Sequence, residues 1–267
     1  MGRIEDAFSR LRREGNKGFI PFITAGDPDL ETTAELLIKL ADCGATVIEL
    51  GVPFSDPMAD GPVIQRASER ALKHGFGLKE IFETTAIARS RIDTPIVLFS
   101  YFNPLLQYGI NNLARDAARS GVDGILVTDL TPEESEEFAA TLKSSGIDLI
   151  FLVAPTSTDA RLRMIAAHAS GFVYVVSRAG VTGARDKVSR EAELLVTRVR
   201  KVSSLPVAVG FGISSADQVQ QTLGYADAAV VGSAIVDQIE KLSAAPNLVN
   251  EIGRFVRSLI PAGAKTR

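Results

Sequence analysis

Ile48-Glu49-Leu50-Gly51-Val52-Pro53-Phe54-Ser55-Asp56-Pro57-Met58-Ala59-Asp60-Gly61-Pro62-Val63-Ile64-Gln65 passes from strand to loop to helix within eighteen residues. The apolar run Ala45-Thr46-Val47-Ile48 reads as a buried strand, broken at Gly51 and Pro53. A loop with three prolines and two aspartates follows, and a helical pattern starts near Val63. Glu49 stands where the strand runs out. A carboxylate there costs several kcal/mol to desolvate unless it is paired or hydrogen-bonded. It therefore answers either to a structural partner, such as a backbone N–H or an arginine, or to acid–base chemistry, with Asp60 as a second carboxylate returned by the loop.

The same strand–loop–helix unit recurs along the chain. Ile4, Ala7, Phe8 and Leu11 fall at helical spacing within Arg3–Arg13, which precedes the first strand and could plug the bottom of a barrel. Short apolar runs then follow at Phe19–Thr24, Thr46–Leu50, Thr94–Phe99, Gly124–Val127, Leu149–Val153, Phe172–Val176, Pro206–Val209 and Ala228–Val231. Between them lie helical patterns at Leu30–Cys43, Val63–Lys73, Leu78–Arg91, Ile110–Ser120, from Pro132, at Thr158–Ala169 and up to Arg200. Helices from Ser233 and Leu248 close the sequence. Tyr101-Phe102-Asn103-Pro104 reads as a loop. Strands that are apolar throughout, rather than alternating, belong to parallel sheets buried on both faces. Eight such units in 267 residues match the roughly 250 of one barrel. An open doubly wound sheet seldom needs eight. The expectation is an α/β fold, a single (β/α)8 TIM barrel over residues 1–267, with an extra N-terminal helix and further extra helices.

Composition narrows the function. With 46% hydrophobic and 23% charged residues, the chain is an ordinary soluble globular one. A net charge of −3 offers no global field for nucleic acid or an anionic membrane, so any phosphorylated ligand must be held locally. One cysteine, Cys43, excludes an internal disulfide framework and reads as a small core residue. His74 and His168 are the only histidines, which disfavours a His-based metal site or a Ser/His/Asp triad. No run reaches membrane-spanning length, and the mixed charges of Arg3, Glu5, Asp6 and Arg10 do not resemble a signal peptide. A cytoplasmic enzyme is expected.

In such a barrel the active site forms at the C-terminal ends of the strands. Beyond Glu49 and Asp60, Tyr174 precedes a glycine-bearing loop, Ser177–Gly183. Strand seven ends in Gly210-Phe211-Gly212-Ile213-Ser214 and strand eight in Gly232-Ser233. These turns fit a phosphate at helix N-termini, or simply tight βα turns with Ser214 and Ser233 as N-caps. Ser215 breaks the G-x-G-x-x-G dinucleotide pattern. Arg178 could serve a phosphate or pair with a carboxylate such as Asp186. Phe22, Phe99, Val127, Val153 and Phe211 would line the mouth, and Tyr101 and Asn103 are polar exceptions near strand three.

Residues 48–65 resemble the signature of the tryptophan synthase α-subunit family. The likeness extends through Pro21–Pro28, Gly121–Gly124, Ser177–Gly183, Gly210–Ser214 and Gly232-Ser233. It implies cleavage of indole-3-glycerol phosphate to indole and D-glyceraldehyde 3-phosphate, a lyase reaction of tryptophan biosynthesis. It further implies a β-subunit partner in an αββα heterotetramer, with indole channelled to it and pyridoxal phosphate confined to that partner. No cofactor or metal is implied for this chain. By the same resemblance Glu49 is the general acid–base and Asp60 faces the indole N–H. Tyr174 is similar to an active-site tyrosine, while Gly183, Gly212, Gly232 and Ser233 resemble a phosphate cradle. Phe22, Phe99 and Val127 resemble an indole pocket, with Tyr101 and Phe211 among the substrate-binding positions. Pro53–Pro57, with Asp56, resembles the β-facing surface, coupled to Ser177–Lys187, and Thr182 matches a threonine that meets Asp60 on closure. The family pattern V-P-D-L-P appears here as Val127-Thr128-Asp129-Leu130-Thr131-Pro132, which leaves the geometry of that loop open. A stand-alone lyase and a catalytically weak regulatory barrel share most of these residues.

Overall fold

The computed structural model describes residues 2–176, 185–210 and 212–261, with side chains from 185 to 189 set aside. Chain order is α1 (Arg3–Glu14), β1 (Gly18–Thr24), α2 (Leu30–Asp42), β2 (Ile48–Gly51), α3 (Pro62–Leu72), α4 (Leu78–Arg89) and β3 (Ile96–Ser100). Next come α5 (Phe102–Tyr108), α6 (Ile110–Ser120), β4 (Gly124–Val127), α7 (Glu136–Ser144), β5 (Asp148–Val153), α8 (Asp159–His168) and β6 (Val173–Val176). The chain finishes with α9 (Arg185–Arg200), β7 (Val207–Gly210), α10 (Ala216–Leu223), β8 (Ala228–Val231), α11 (Ser233–Leu242) and α12 (Leu248–Leu259). The strands pair in sequence order, all parallel, and β8 closes on β1 to complete the barrel.

Closure buries both faces of each strand, and the side chains sort by parity. Ile20, Val47, Val97, Leu126, Ile150, Phe172, Tyr174, Ala208, Ala228 and Val230 fill the lumen. Phe19, Ile23, Ile48, Leu50, Leu98, Ile125 and Val209 face outward into the larger core beneath the helices. Ile4, Phe8 and Leu11 of α1 join the inner cluster, and the Phe8 and Phe172 rings meet at 5.8 Å. The first helix thus plugs the bottom, as its apolar stripe suggests. Gly15, in the left-handed region at φ 69°, ends it by returning its N–H to the carbonyls of Leu11 and Arg12.

Several expectations need correction. Phe102–Tyr108 is a helix rather than a loop, because the Asp129 carboxylate accepts the Phe102 N–H at 2.7 Å and so caps it from the far side of β4. Asp129 in the divergent 127–132 segment therefore does a structural job. Pro132–Glu134 forms a 3-10 turn, and α7 starts only at Glu136. Val127 and Val153 pack in the outer core rather than the mouth, since strand parity turns their neighbours Leu126 and Leu152 inward. Cys43 is a half-buried residue just past α2, with its thiol against the Gly253 carbonyl at 3.4 Å. No helix among the described residues is long and apolar enough to cross a membrane.

An ionic clip secures the bottom of the barrel. Buried Asp123, just before β4, accepts from Arg3 at 2.9 Å, from Arg89 at 2.8 Å and from the Ile96 N–H at 2.8 Å. Arg89 also donates to the carbonyls of Gly121, Ile92 and Thr94. Removing one partner of a buried pair strands the other. Asp123→Ala is expected to lower stability by about 3–5 kcal/mol in urea denaturation.

Candidate active site

Four inward positions on β1 and β2 build the acid end of the mouth. Their register pairs Phe22 with Glu49 and Thr24 with Gly51. Glu49 is 1% exposed, and its Oε1 has no hydrogen-bond partner among the described residues. Burial alone pushes its carboxyl up to about 8, so near neutral pH it holds its proton. The buried Tyr174 hydroxyl is raised well above the usual phenol range, first by burial and then by the charge of Glu49. The open choice at Glu49 between a structural partner and acid–base chemistry is thereby narrowed, since no cation accompanies this carboxyl among the described residues.

Aromatic rings form the adjacent wall. Phe22 meets Phe99 edge-on at 5.5 Å, and Phe99 meets Tyr174 at 6.3 Å. Two glycines exist to admit these rings. A Cβ on Gly51 would lie 2.4 Å from Phe22 Cζ, and one on Gly210 would lie 2.0 Å from the Tyr174 hydroxyl. Gly210 is therefore a strand residue that makes room for Tyr174.

Asp60 sits half-buried on the loop after β2. Burial raises its carboxyl to about 6, and a hydrogen bond from Tyr101 works against that rise. The Tyr101 hydroxyl also accepts the Ala59 N–H at 2.8 Å, and its own pKa is pushed up to about 12 by burial and by the charge of Asp60. Phe54 stacks on Tyr101 at 5.1 Å, and Gln65 Nε2 donates to the Asp60 carbonyl at 2.9 Å. Tyr101 and Gln65 thus hold the carboxylate-bearing loop against β3 and α3. Asn103 is exposed on α5. The outer part of the same loop carries Asp56, bonded by Ser55 at 2.6 Å, and Met58, 94% exposed.

The other end of the mouth is made of helix starts. Gly232 precedes α11, and Ser233 is the exposed first residue of that helix. The Gly232 carbonyl accepts the Ile235 and Val236 N–H groups at 2.8 and 3.1 Å, which leaves the N–H groups of Ser233 and Ala234, ahead of the first helical hydrogen bond, to suit an anion. Phe22 Cβ lies 3.4 Å from where a Gly232 Cβ would be, so this helix start adjoins the aromatic wall. Gly212 is left-handed at φ 76°. The cap of α10 is Ser215, which accepts the Gln218 N–H at 3.4 Å, and not Ser214. Ser214 instead gives both its N–H and its hydroxyl to Gln218 Oε1, which fills the place a cap would use. Thr182, Gly183 and Phe211 lie outside the described residues, as does Arg178.

Two features escaped sequence reasoning. Thr24 buries a hydroxyl with no partner among the described residues, and its only signal is sharing the parity of Phe22. Arg70 holds buried Asp27 through two 2.8 Å bonds and reaches Glu240 at 2.8 Å, which Arg66 grips in turn at 2.7 Å. This chain of charges ties α3, which carries the Asp60 loop, to α11. Among the described residues no group of three or more His, Cys, Asp or Glu side chains could hold a metal ion.

A closed (β/α)8 barrel with a fully desolvated carboxyl at the end of its second strand, beside an aromatic wall, is a barrel enzyme. The family model for the tryptophan synthase alpha chain matches residues 8–259, and the chain belongs to that family. It is 49% identical over 259 residues to the tryptophan synthase alpha chain of Geobacter sp. (strain M21), covering 97% of each. Among solved structures it resembles the alpha subunit from Legionella pneumophila str. Paris at a TM-score of 0.90 and 36% identity, with 97% of each chain covered. It also resembles a chain of the α2β2 complex of Pyrococcus furiosus at a TM-score of 0.84 and 42% identity, with 91% of this chain and 97% of that one covered.

The site makes two predictions about stability. Between about pH 4.5 and 8 the unfolded chain gives up the Glu49 proton while the folded chain keeps it, so folding loses stability as pH rises through that window. Glu49→Gln should melt close to the parent at pH 4.5 and clearly above it at pH 8.5 in thermal scans. Gly210→Ala should cost about 1–3 kcal/mol by overpacking, with part recovered when Tyr174→Phe removes the hydroxyl in the same chain.

Proposed function

We propose that the chain, as one barrel domain over residues 1–267, cleaves indole-3-glycerol phosphate to indole and D-glyceraldehyde 3-phosphate. The Glu49 carboxyl carries this reading, being buried, unpaired at Oε1 among the described residues and protonated at neutral pH beside an aromatic wall. Family membership supports the substrate. The indole ring lies against Phe22, Phe99 and Tyr174, and the phosphate at the start of α11 and the loop after β7, with Gly183, Gly212, Gly232 and Ser233 as its cradle. Thr182 and Phe211 complete the substrate contacts.

The proton moves in a closed cycle. Glu49 gives its proton to indole C3, and positive charge appears on the ring nitrogen, whose N–H Asp60 accepts as a carboxylate. The Glu49 carboxylate then takes the proton from the hydroxyl on the side-chain carbon attached to C3. That oxygen forms the aldehyde C=O, the C3–C bond breaks, and its electron pair restores the aromatic ring. Indole and the aldehyde leave, and Glu49 is again protonated. Tyr101 holds the Asp60 loop.

The partner is a tryptophan synthase β subunit, which receives the indole and carries the pyridoxal phosphate, in the cytoplasm. Within the Pro53–Pro57 part of the acid-bearing loop, the exposed Ser55 and Asp56 form the surface that this partner would meet.

Indole release from indole-3-glycerol phosphate by the full chain, with and without a β subunit, tests the reading. Slow release that β accelerates is expected, and no release in either case would sink it. Glu49→Gln should abolish turnover while leaving binding largely intact. The ratio kcat/KM should rise through about pH 6 as Asp60 ionises and fall through about pH 8 as Glu49 loses its proton. A flat profile would remove both carboxyls from the chemistry. Ser233→Asp should weaken substrate binding by setting like charge beside the phosphate.

A further inference from the structure

Among the described residues, two buried side-chain oxygens lack a hydrogen-bond partner, Glu49 Oε1 and Thr24 Oγ1. They stand on adjacent strands and on the same inward face. Phe22 pairs with Glu49 and Thr24 with Gly51, so Thr24 lies one inward layer nearer the mouth. The space over its ladder partner Gly51 is taken by the Phe22 ring, so neither Gly51 nor Phe22 offers the Thr24 hydroxyl a polar side-chain partner.

The fold does not need this hydroxyl. Thr24 is 2% exposed and is held by the β1–β2 ladder, and its carbonyl accepts the Asp27 N–H at 3.3 Å. Its neighbours in the chain are Phe22, Ile23 and Ala25, and a valine would fill the same volume with no polar atom to satisfy. A buried hydroxyl without a partner is a net loss to the folded state unless something else bonds it. What would satisfy Thr24 and Glu49 together is a small group that both donates and accepts. An alcohol does so.

We propose that the Thr24 hydroxyl binds a secondary alcohol of the substrate's glycerol chain and is a specificity-determining residue for the polyol segment. This rests on the reading of the chain as an indole-3-glycerol phosphate lyase. That substrate carries two secondary hydroxyls between its ring and its phosphate. With the ring on the Phe22 and Phe99 wall and the phosphate at α11, the chain joining them passes the inward ends of β1 and β2. Thr24 holds one of its alcohols so that the hydroxyl next to the ring faces Glu49.

The test compares two ligands on the full-length chain. One is indole-3-glycerol phosphate, and the other is 3-(indol-3-yl)propyl phosphate, which keeps ring and phosphate but lacks both secondary hydroxyls. Thr24→Val should lower kcat/KM for the first by roughly 10- to 100-fold and leave the Kd of the second within about twofold. Thr24→Ser, which restores the hydroxyl, should recover most of the loss. Equal weakening of both ligands by Thr24→Val would mean that the hydroxyl only shapes the mouth and would overturn the proposal. Unchanged values for both would overturn it as well. If the valine chain does not fold, Thr24→Ala, which adds no bulk, provides the same comparison. Failure of the parent chain to cleave the first ligand would refute the lyase reading itself, before any Thr24 variant is read.

Discussion

Closing eight parallel strands into a barrel leaves no solvent-facing side of the sheet, and this constraint governs everything at the mouth. An inward position either fills the lumen with carbon or turns a polar group toward it. Most positions take the first course, as Ile20, Val97, Leu126 and Ile150 do. Thr24 and Glu49 take the second. Such groups persist only because the surrounding barrel over-determines their place, and they lower the stability of the fold in exchange for reactivity. The chemistry attributed to Glu49 follows from where the strand ends, since the same side chain on a helix surface would be an ordinary carboxylate.

Two ends of one barrel solve opposite problems. At the bottom, Asp123 is buried yet fully engaged by Arg3, Arg89 and a backbone N–H, and α1 seals the lumen with Ile4, Phe8 and Leu11. At the top, Glu49 is kept neutral by burial with no cation beside it among the described residues, and the rings are given space by glycines. Gly51 and Gly210 are conspicuous here because their missing Cβ atoms are filled by Phe22 and Tyr174. The loop carrying Asp60 is held chiefly by polar contacts, from Tyr101 and Gln65, which suits a segment that must meet both ligand and partner.

The strands, their order and the two carboxyl groups were legible in the sequence because each rests on a local signal. Apolar runs of four to six residues mark strands buried on both faces, and Glu49 is conspicuous as an acid at the end of one. Facing was harder. Gly124-Ile125-Leu126-Val127 has no polar residue to show which side is inward, so Val127 was placed in the mouth when its neighbour Leu126 belongs there. The helix after β3 was hidden because its cap, Asp129, comes from beyond the next strand. The cap of the helix after β7 falls one residue past Ser214, at Ser215, and only the place of the Gln218 side chain decides between the two. That the Thr24 hydroxyl finds no partner among the described residues is a fact about its neighbours in space, which no linear pattern encodes.

The charged chain from Asp27 through Arg70 and Glu240 to Arg66 has a consequence in ionic strength. Its inner rung is shielded, with Asp27 1% and Arg70 23% exposed, while the Arg66–Glu240 rung is 46% and 28% exposed. Mobile counterions screen the outer rung readily and the inner one hardly at all. Added salt therefore loosens α3 from α11 at the solvent side first, while the anchor at the end of β1 stays fixed. Because α3 carries the Asp60 loop and α11 begins at Ser233, that screening acts on a tie between the two halves of the mouth.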